Sequence, residues 1–396
     1  MSDTTHWIDR CHFGDVRVVL RQMVDDGVKV NAIVTSPPYW LLRSYLPDEH
    51  PDKHLEIGAE PTISEFIRNL VGVFELCRQV LRDDGVMFLN IGDSYAGSRG
   101  GGAPSASSTL MGNGHIGGGP KLQSMTQSRR RDDASIPRSD RRIKGLKPKD
   151  LVGQPWRLAF GLQGMTVLPS LTLIEWADGL QHARVAQDWT LVQAIERRIR
   201  AEAMIEQIGK AWYLRQDIIW KKLSPMPESA KDRCTKAHEY IFLLAKSESY
   251  HFDANAISEP AKAGRTPGNK NAPKGQAAYE AGVEEHRTKA GLLTYSQKVQ
   301  GSAGIQRSNK RSVWDIASEP YAGAHYAPFP RKLVEPCILA GCPAGGVVLD
   351  PFFGSGTTGE VAQNLGRHFI GIDLDRRNDP LQAMRLQQPG LILETV

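Results

Sequence analysis

Between Val347 and Asp373 the chain reads as strand, glycine turn, helix and second strand, an order that few folds accommodate. The apolar run Val347-Val348-Leu349 leads into Asp350-Pro351-Phe352-Phe353-Gly354-Ser355-Gly356-Thr357-Thr358. A helical stretch follows, and His368-Phe369-Ile370-Gly371-Ile372-Asp373 forms the next strand. Glycines let a backbone approach a ligand closely, and the free N–H groups at a helix start favour a carboxylate or phosphate. An acid ending the second strand of such a unit accepts hydrogen bonds from ribose hydroxyls. Gly354-Ser355-Gly356-Thr357-Thr358-Gly359 has the glycine spacing of the dinucleotide fingerprint, but no Lys follows the glycines as a P-loop requires, so ATP is disfavoured. The unit suits a ligand with a ribose and a charged tail.

A second segment constrains the chemistry. The buried-strand pattern Val30-Asn31-Ala32-Ile33-Val34 runs into Thr35-Ser36-Pro37-Pro38-Tyr39-Trp40. Prolines set φ near −65° and donate no hydrogen bond, so a Pro-Pro corner is rigid and its carbonyls stay free to accept from an amino group. Tyr39 offers a flat face for a planar ring, and Ser36 a small hydroxyl. Those are the contacts an extruded nucleobase requires.

The Ser36-Pro37-Pro38-Tyr39 corner resembles the catalytic motif of the amino-group DNA methyltransferases, in which Ser or Asp precedes Pro-Pro and an aromatic. The Asp350 to Thr358 turn is similar to their S-adenosyl-L-methionine site. The corner precedes the turn by more than 300 residues, the permuted order of the beta group. Further similar segments are Gly14-Asp15, Gly85 to Tyr95, Trp220-Lys221-Lys222, Lys236 to Phe242, and His325 to Pro330. The resemblance implies a Rossmann-like α/β fold: a mostly parallel seven-stranded sheet with helices on both faces and a circularly permuted motif order. It assigns catalysis to Ser36, Pro37, Pro38 and Tyr39. To the cofactor it assigns Asp15 (adenine amine), Asp350, Phe352, Gly354, Ser355, Gly356 and Thr357 (the turn), and Asp373 (ribose), with His325, Phe329 and Pro330 flanking the methionine end.

An exocyclic amine is a poor nucleophile because its lone pair is delocalised into the ring. Hydrogen bonds to Ser36 and to the Pro37 carbonyl would favour a tetrahedral nitrogen, with Tyr39 holding the ring by stacking. Attack at cytosine C5 through a Pro-Cys thiolate is disfavoured, since Pro336-Cys337, the pair beside the cofactor unit, reads as part of a helix. In the family, Ser at the first motif position resembles cytosine-N4 enzymes and Asp adenine-N6 enzymes. The expected reaction is therefore transfer to cytosine N4 in duplex DNA, with adenine N6 as the alternative. RNA or protein amide methylation and catalytically silent DNA binding remain further alternatives.

Charge agrees with a DNA partner. Against a net charge of +5, residues 94–150 carry eleven Lys or Arg with four acids, and residues 262–311 carry ten with three. Two basic segments on an otherwise acidic body suit a phosphate-backbone binder. The 396 residues suffice for one large α/β domain with insertions, or for two domains. The five cysteines form no C-x-x-C pair, so free thiols and no metal are expected. With no long apolar run and no leader-like start, the expectation is a soluble cytoplasmic protein of prokaryotic or phage type, away from membranes. The resemblance also leaves room for a homodimer and a cognate restriction endonuclease.

Along the chain, strands are predicted over His6–Cys11, Gly85–Ile91 and Trp212–Lys221, and helices over Val16–Asp26, Pro61–Leu81 and Asp150–Leu162. The expected organisation is a catalytic half (1–95), a basic mobile loop (96–150) closing over DNA, and the continued methyltransferase domain (151–255). A helical insertion at 170–211, a basic target-recognition region (256–312) and a cofactor-binding half (313–396) complete it. The insertion departs from the family and suits a dimer surface, a DNA-contacting arm or a plain packing helix.

Overall fold

The computed structural model describes residues 4–42, 44–96, 146–147, 149–164, 192, 211–225, 228, 230–260, 307–319 and 329–386. Most of the expected basic segment (96–150), most of the 170–211 insertion, residues 261–306 and His325 lie outside them.

Two compact units divide the chain, 1–252 with 312–396, and 253–311. In the second, β6 (Glu259–Pro260) pairs antiparallel with β7 (Arg307–Ser308), Arg307 Nε donates to Ser258 Oγ at 2.7 Å, and Arg311 pairs with Glu259.

The first unit is built on one eight-stranded sheet. Its strands are β1 (Arg10–Phe13), β2 (Val30–Thr35), β3 (Leu81–Ile91), β4 (Tyr213–Lys222), β5 (His238–Ala245), β8 (Val313–Ile316), β9 (Val347–Asp350) and β10 (His368–Asp373). They lie in the order β1-β10-β9-β2-β3-β5-β4-β8, and only β5 runs antiparallel to its neighbours. One strand exceeds the expected seven. The addition is edge strand β8, where Trp314 alone is buried; four residues with a single buried position carry too little alternation to be read as a strand. The strand expected over His6–Cys11 is instead a 3-10 turn, Thr5–Trp7, followed by β1. Trp7 folds into the core with its Nε1 donating to Asp26 at 2.9 Å, and Asp9 takes a left-handed φ of 58° that breaks an extended chain.

Period-two burial shows why helices cover both faces. Ile33, Met87, Leu89, Leu349 and Ile370 share a core with α1 (Val16–Asp25), α2 (Ile63–Val80) and α3 (Gln154–Leu162). Their alternates Ala32, Val34, Val86, Phe88, Val348 and Phe369 are equally buried, outside that core. Against them lie α4 (Arg331–Gly341) and α5 (Thr357–Asn364): a Cβ on Gly341 of α4 would stand 2.8 Å from Val86 and 2.9 Å from Phe88. Helix α2 starts where Thr62 accepts the Glu65 N–H at 3.2 Å, and of the stripe expected at Phe66, Leu70, Val73, Leu76 and Val80 all are buried but Leu76, which is partly so. A last helix, α6 (Asp379–Leu386), packs on α5. Among the described residues no helix is long and apolar enough to cross a membrane.

Candidate active site at the strand switch point

Adjacent strands β2 and β9 send their chains in opposite directions, β2 through α2 to β3 and β9 through α5 to β10. A crevice opens at the carboxyl ends of the strands where such connections diverge. The Ser36–Tyr39 corner leaves one wall of it and the Asp350–Thr357 turn the other, though the two are far apart in sequence.

Asp350 ties these walls together. Its Oδ1 accepts from the Thr35 hydroxyl at 2.7 Å and the Phe352 N–H at 3.0 Å, and its Oδ2 from the Thr358 hydroxyl at 2.7 Å. Burial pushes its carboxyl up to about 6, against the pull of those donors. The turn beyond it needs glycine: Gly354 and Gly356 have φ of 52° and 84°. Phe353 anchors the turn by stacking on Phe369 at 5.4 Å between centroids, over Gly371. A Cβ on Gly371 would stand 2.5 Å from the Phe353 ring. Gly371→Ala is therefore expected to cost about 1–3 kcal/mol through overpacking and to loosen the turn, as thermal melting and S-adenosylmethionine titration would show.

Phe352, half-buried, meets Phe74 of α2 edge-on at 6.3 Å. Thr357 Oγ1 accepts from Arg385 at 2.5 Å in the first turn of α5, and Pro330 caps α4, whose next residue Arg331 pairs with Glu360 of α5 at 3.2 Å. Phe329 precedes Pro330, half-buried. Among the described residues, the buried Ser355 Oγ and Gln382 Oε1 have no partner. Two orphaned polar atoms at a glycine turn fit a ligand that bears both charge and hydroxyls.

Asp373 ends β10 with Oδ1 accepting the Asp375 N–H at 2.9 Å, and Oδ2 the Asn378 amide at 2.8 Å and the Gln382 amide at 3.1 Å. Burial first, then the charges of Asp375 and Asp350, push its carboxyl up to about 7 despite those donors. One strand over, Asp15 caps α1: Arg17 donates its backbone N–H at 2.8 Å and its guanidinium at 2.6 Å. Burial opposes ionisation of Asp15, but Arg17 outweighs it and holds the carboxyl below its ordinary value.

These shifts predict a pH profile. Raised acids, Asp350 and Asp373, favour the folded state fully below the ordinary carboxylate range, and that contribution is lost as pH rises through about 6 and about 7. Lowered acids such as Asp15 act in the opposite sense, their contribution lost as pH falls through their folded values. Melting temperature is expected to decline from about pH 4 to about pH 7, and Asp373→Asn to flatten the upper part of that limb.

On the catalytic side, Trp40 locks the corner. Its backbone N–H donates to Gln154 at 3.1 Å and its Nε1 to the Glu60 carbonyl at 2.8 Å. Pro37 is buried, while Ser36, Pro38 and Tyr39 are half-buried. The Tyr39 hydroxyl donates to Glu239 Oε2 at 2.8 Å and lies 3.5 Å from Asn90 Oδ1. Burial, then the Glu239 charge, raise that phenol well above its ordinary value. Glu239 Oε1 pairs with Lys222 Nζ at 2.5 Å, and Asn90 Nδ2 donates to Oε2 at 3.3 Å. Burial opposes the Glu239 charge, yet Lys222 and these donors leave its carboxyl below the ordinary value. Asp93 in turn caps α3, accepting the Gly153 N–H at 2.9 Å.

Glu239, Asn90 and Lys222 were not among the expected site residues, although the segments holding them resemble the family. Glu239 is the second residue of β5, and only because that strand runs antiparallel does its start meet the ends of β3 and β4. Cys337 lies inside α4, its thiol donating to the Leu333 carbonyl at 3.2 Å, away from any nucleophilic role.

A mostly parallel sheet with helices on both faces and a glycine turn at its switch point defines a Rossmann-like α/β fold with a ligand crevice. The DNA methylase family (N6/N4 type) matches residues 30–378. Type II methyltransferase M.Cfr9I of Citrobacter freundii is 35% identical over 375 residues, which cover 94% of this chain and 86% of that protein. M.SmaI of Serratia marcescens is 35% identical over 373 residues, covering 94% and 89%. Among solved structures, the PvuII DNA methyltransferase (cytosine-N4-specific) aligns at 16% identity with a TM-score of 0.46, over 95% of this chain and 85% of that one. The chain belongs to the N6/N4 DNA methylase family and is an S-adenosylmethionine-dependent DNA methyltransferase.

Proposed function

We propose that the protein methylates the exocyclic N4 amine of cytosine in duplex DNA, flipping the base into the crevice beside Ser36. The observation that carries this reading is an uncharged, half-buried Ser36 directly after β2, heading the Pro37-Pro38-Tyr39 corner. S-adenosylmethionine, when bound, supplies an electrophilic methyl group. The Ser36 oxygen and the Pro37 carbonyl accept hydrogen bonds from the amine and draw its lone pair out of the ring plane. Tyr39, its hydroxyl already engaged, offers its ring for stacking on the base.

On the cofactor side, Asp373 would accept from the ribose, Asp15 from the adenine amine, and the Gly354–Thr357 turn would hold the methionine end beside Asp350 and Phe352. Phe329 and Pro330 would flank it. Residues 96–150 and 256–312 are proposed to contact DNA, the latter reading the sequence. The designation of its relatives as Type II methyltransferases supports a cytoplasmic restriction-modification setting with a cognate endonuclease. A homodimer is proposed on resemblance.

The deciding experiment is methyl transfer from labelled S-adenosylmethionine to unmodified duplex DNA, read by nucleoside mass spectrometry. Label on cytosine N4 supports the proposal, and label on adenine N6 replaces the base while keeping the mechanism. Transfer to RNA with none to duplex DNA overturns it.

A further inference from the structure

Helix α6 sends two side chains back onto the glycine turn. Arg385 donates to Thr357 Oγ1 at 2.5 Å, just past the turn's glycines, and Gln382 reaches the turn's start. The Nε2 nitrogen of Gln382 donates to the Gly354 carbonyl at 2.8 Å and to Asp373 Oδ2 at 3.1 Å, so a single amide joins the turn to the acid that ends β10. Gln382 is 2% exposed and lies over Gly356, where a Cβ would stand 3.6 Å from its Cα and Cγ. Its Oε1 is buried too and meets no donor among the described residues. An orphaned carbonyl weakens a fold, and an apolar side chain of the same length would fill the place without one. What only the amide provides is the pair of bonds from Nε2.

We propose that Gln382 is a positioning residue that fixes the spacing between Asp373 and the Gly354–Thr357 turn, so that the ribose and methionine ends of S-adenosylmethionine are held at once. This rests on the reading of Asp373 as the ribose acid and of the turn as the methionine site. An ionised carboxylate has about four acceptor sites. The Asp375 N–H takes one on Oδ1, and Asn378 and Gln382 share Oδ2, which leaves one on Oδ1 for a ribose hydroxyl. Asp375 and Asn378 still hold that carboxylate when Gln382 is replaced. The Gly354 carbonyl, by contrast, loses its tie to Asp373. Two contacts on one ligand reinforce each other only while their separation matches it, so the loss falls on ligands that use both ends.

The test measures binding of S-adenosylmethionine and of methylthioadenosine, which keeps the ribose but lacks the amino-acid end, to wild type, Gln382→Met and Gln382→Asn. Methionine keeps the packing over Gly356 without the amide, and asparagine keeps an amide one methylene too short to span both acceptors. Both variants are expected to melt within a few degrees of wild type and to bind S-adenosylmethionine about tenfold more weakly, with methylthioadenosine affinity changed less than about twofold. In methylation of duplex DNA the loss is expected in KM for the cofactor and not in kcat. Unchanged S-adenosylmethionine affinity would overturn the proposal and leave Gln382 a packing residue. Equal losses for the two ligands would overturn it as well, confining Gln382 to the ribose end. If neither variant folds, Gln382 serves the fold and the proposal falls. Wild-type affinity for S-adenosylmethionine in Asp373→Ala instead defeats the reading of the ribose acid beneath it.

Discussion

Ser36→Ala is expected to lower turnover by about 10²- to 10³-fold while leaving cofactor affinity and melting temperature within error of wild type. The side chain is small and half-exposed, and the Tyr39 hydroxyl keeps its bond to Glu239 when Ser36 is truncated. Little folding energy therefore depends on it. The reaction, by contrast, loses the acceptor that favours a tetrahedral nitrogen, and the Pro37 carbonyl must orient the amine unaided. Such an interaction strengthens as the bond to carbon forms, so its loss appears in kcat more than in KM. Radiolabelled single-turnover kinetics separate the two. Equal losses in rate and cofactor binding would mean that Ser36 supports the cleft wall and is no acceptor.

Asp350→Ala is expected to fail for a different reason. The substitution leaves the Thr35 and Thr358 hydroxyls and the Phe352 N–H without their buried acceptor. Each unsatisfied buried donor costs about 1–3 kcal/mol, so a total loss of about 3 kcal/mol or more and a melting temperature several degrees lower are expected. Activity should fall with it, because the same carboxylate joins the end of β2 to the glycine turn. Asp350→Asn is the informative companion. An asparagine amide can donate to Thr358, which turns its own proton to the Val34 carbonyl 3.4 Å away. Without a charge whose burial is unfavourable, the asparagine variant should keep near-wild-type stability at neutral pH and lose the decline between about pH 4 and 6 that the Asp350 carboxyl contributes. A stable, active Asp350→Ala protein would show that the two walls hold together without this carboxylate.

Local pattern alone determined a good part of this protein. Apolar runs, ending in proline corners after β2 and β9 and on an acid at β10, mark these three strands within a residue, since a strand buried on both faces is nearly continuously apolar. The stripe at Phe66, Leu70, Val73 and Val80 marks α2, because one helix face must be buried. The rigidity of Pro37-Pro38 and the freedom of Gly354 and Gly356 follow from covalent geometry, so both site segments are legible in the chain itself. Tertiary structure decided the rest. Strand order, which no local signal carries, placed β2 beside β9 and so made one crevice from segments at opposite ends of the chain. The reversed direction of β5 brought Glu239 to the phenol of Tyr39, and the folded environment alone moved the Asp350 and Asp373 carboxyls upward. Residue type sets what a side chain can donate or accept, but its partner and its charge depend on neighbours and burial that exist only once the sheet has closed.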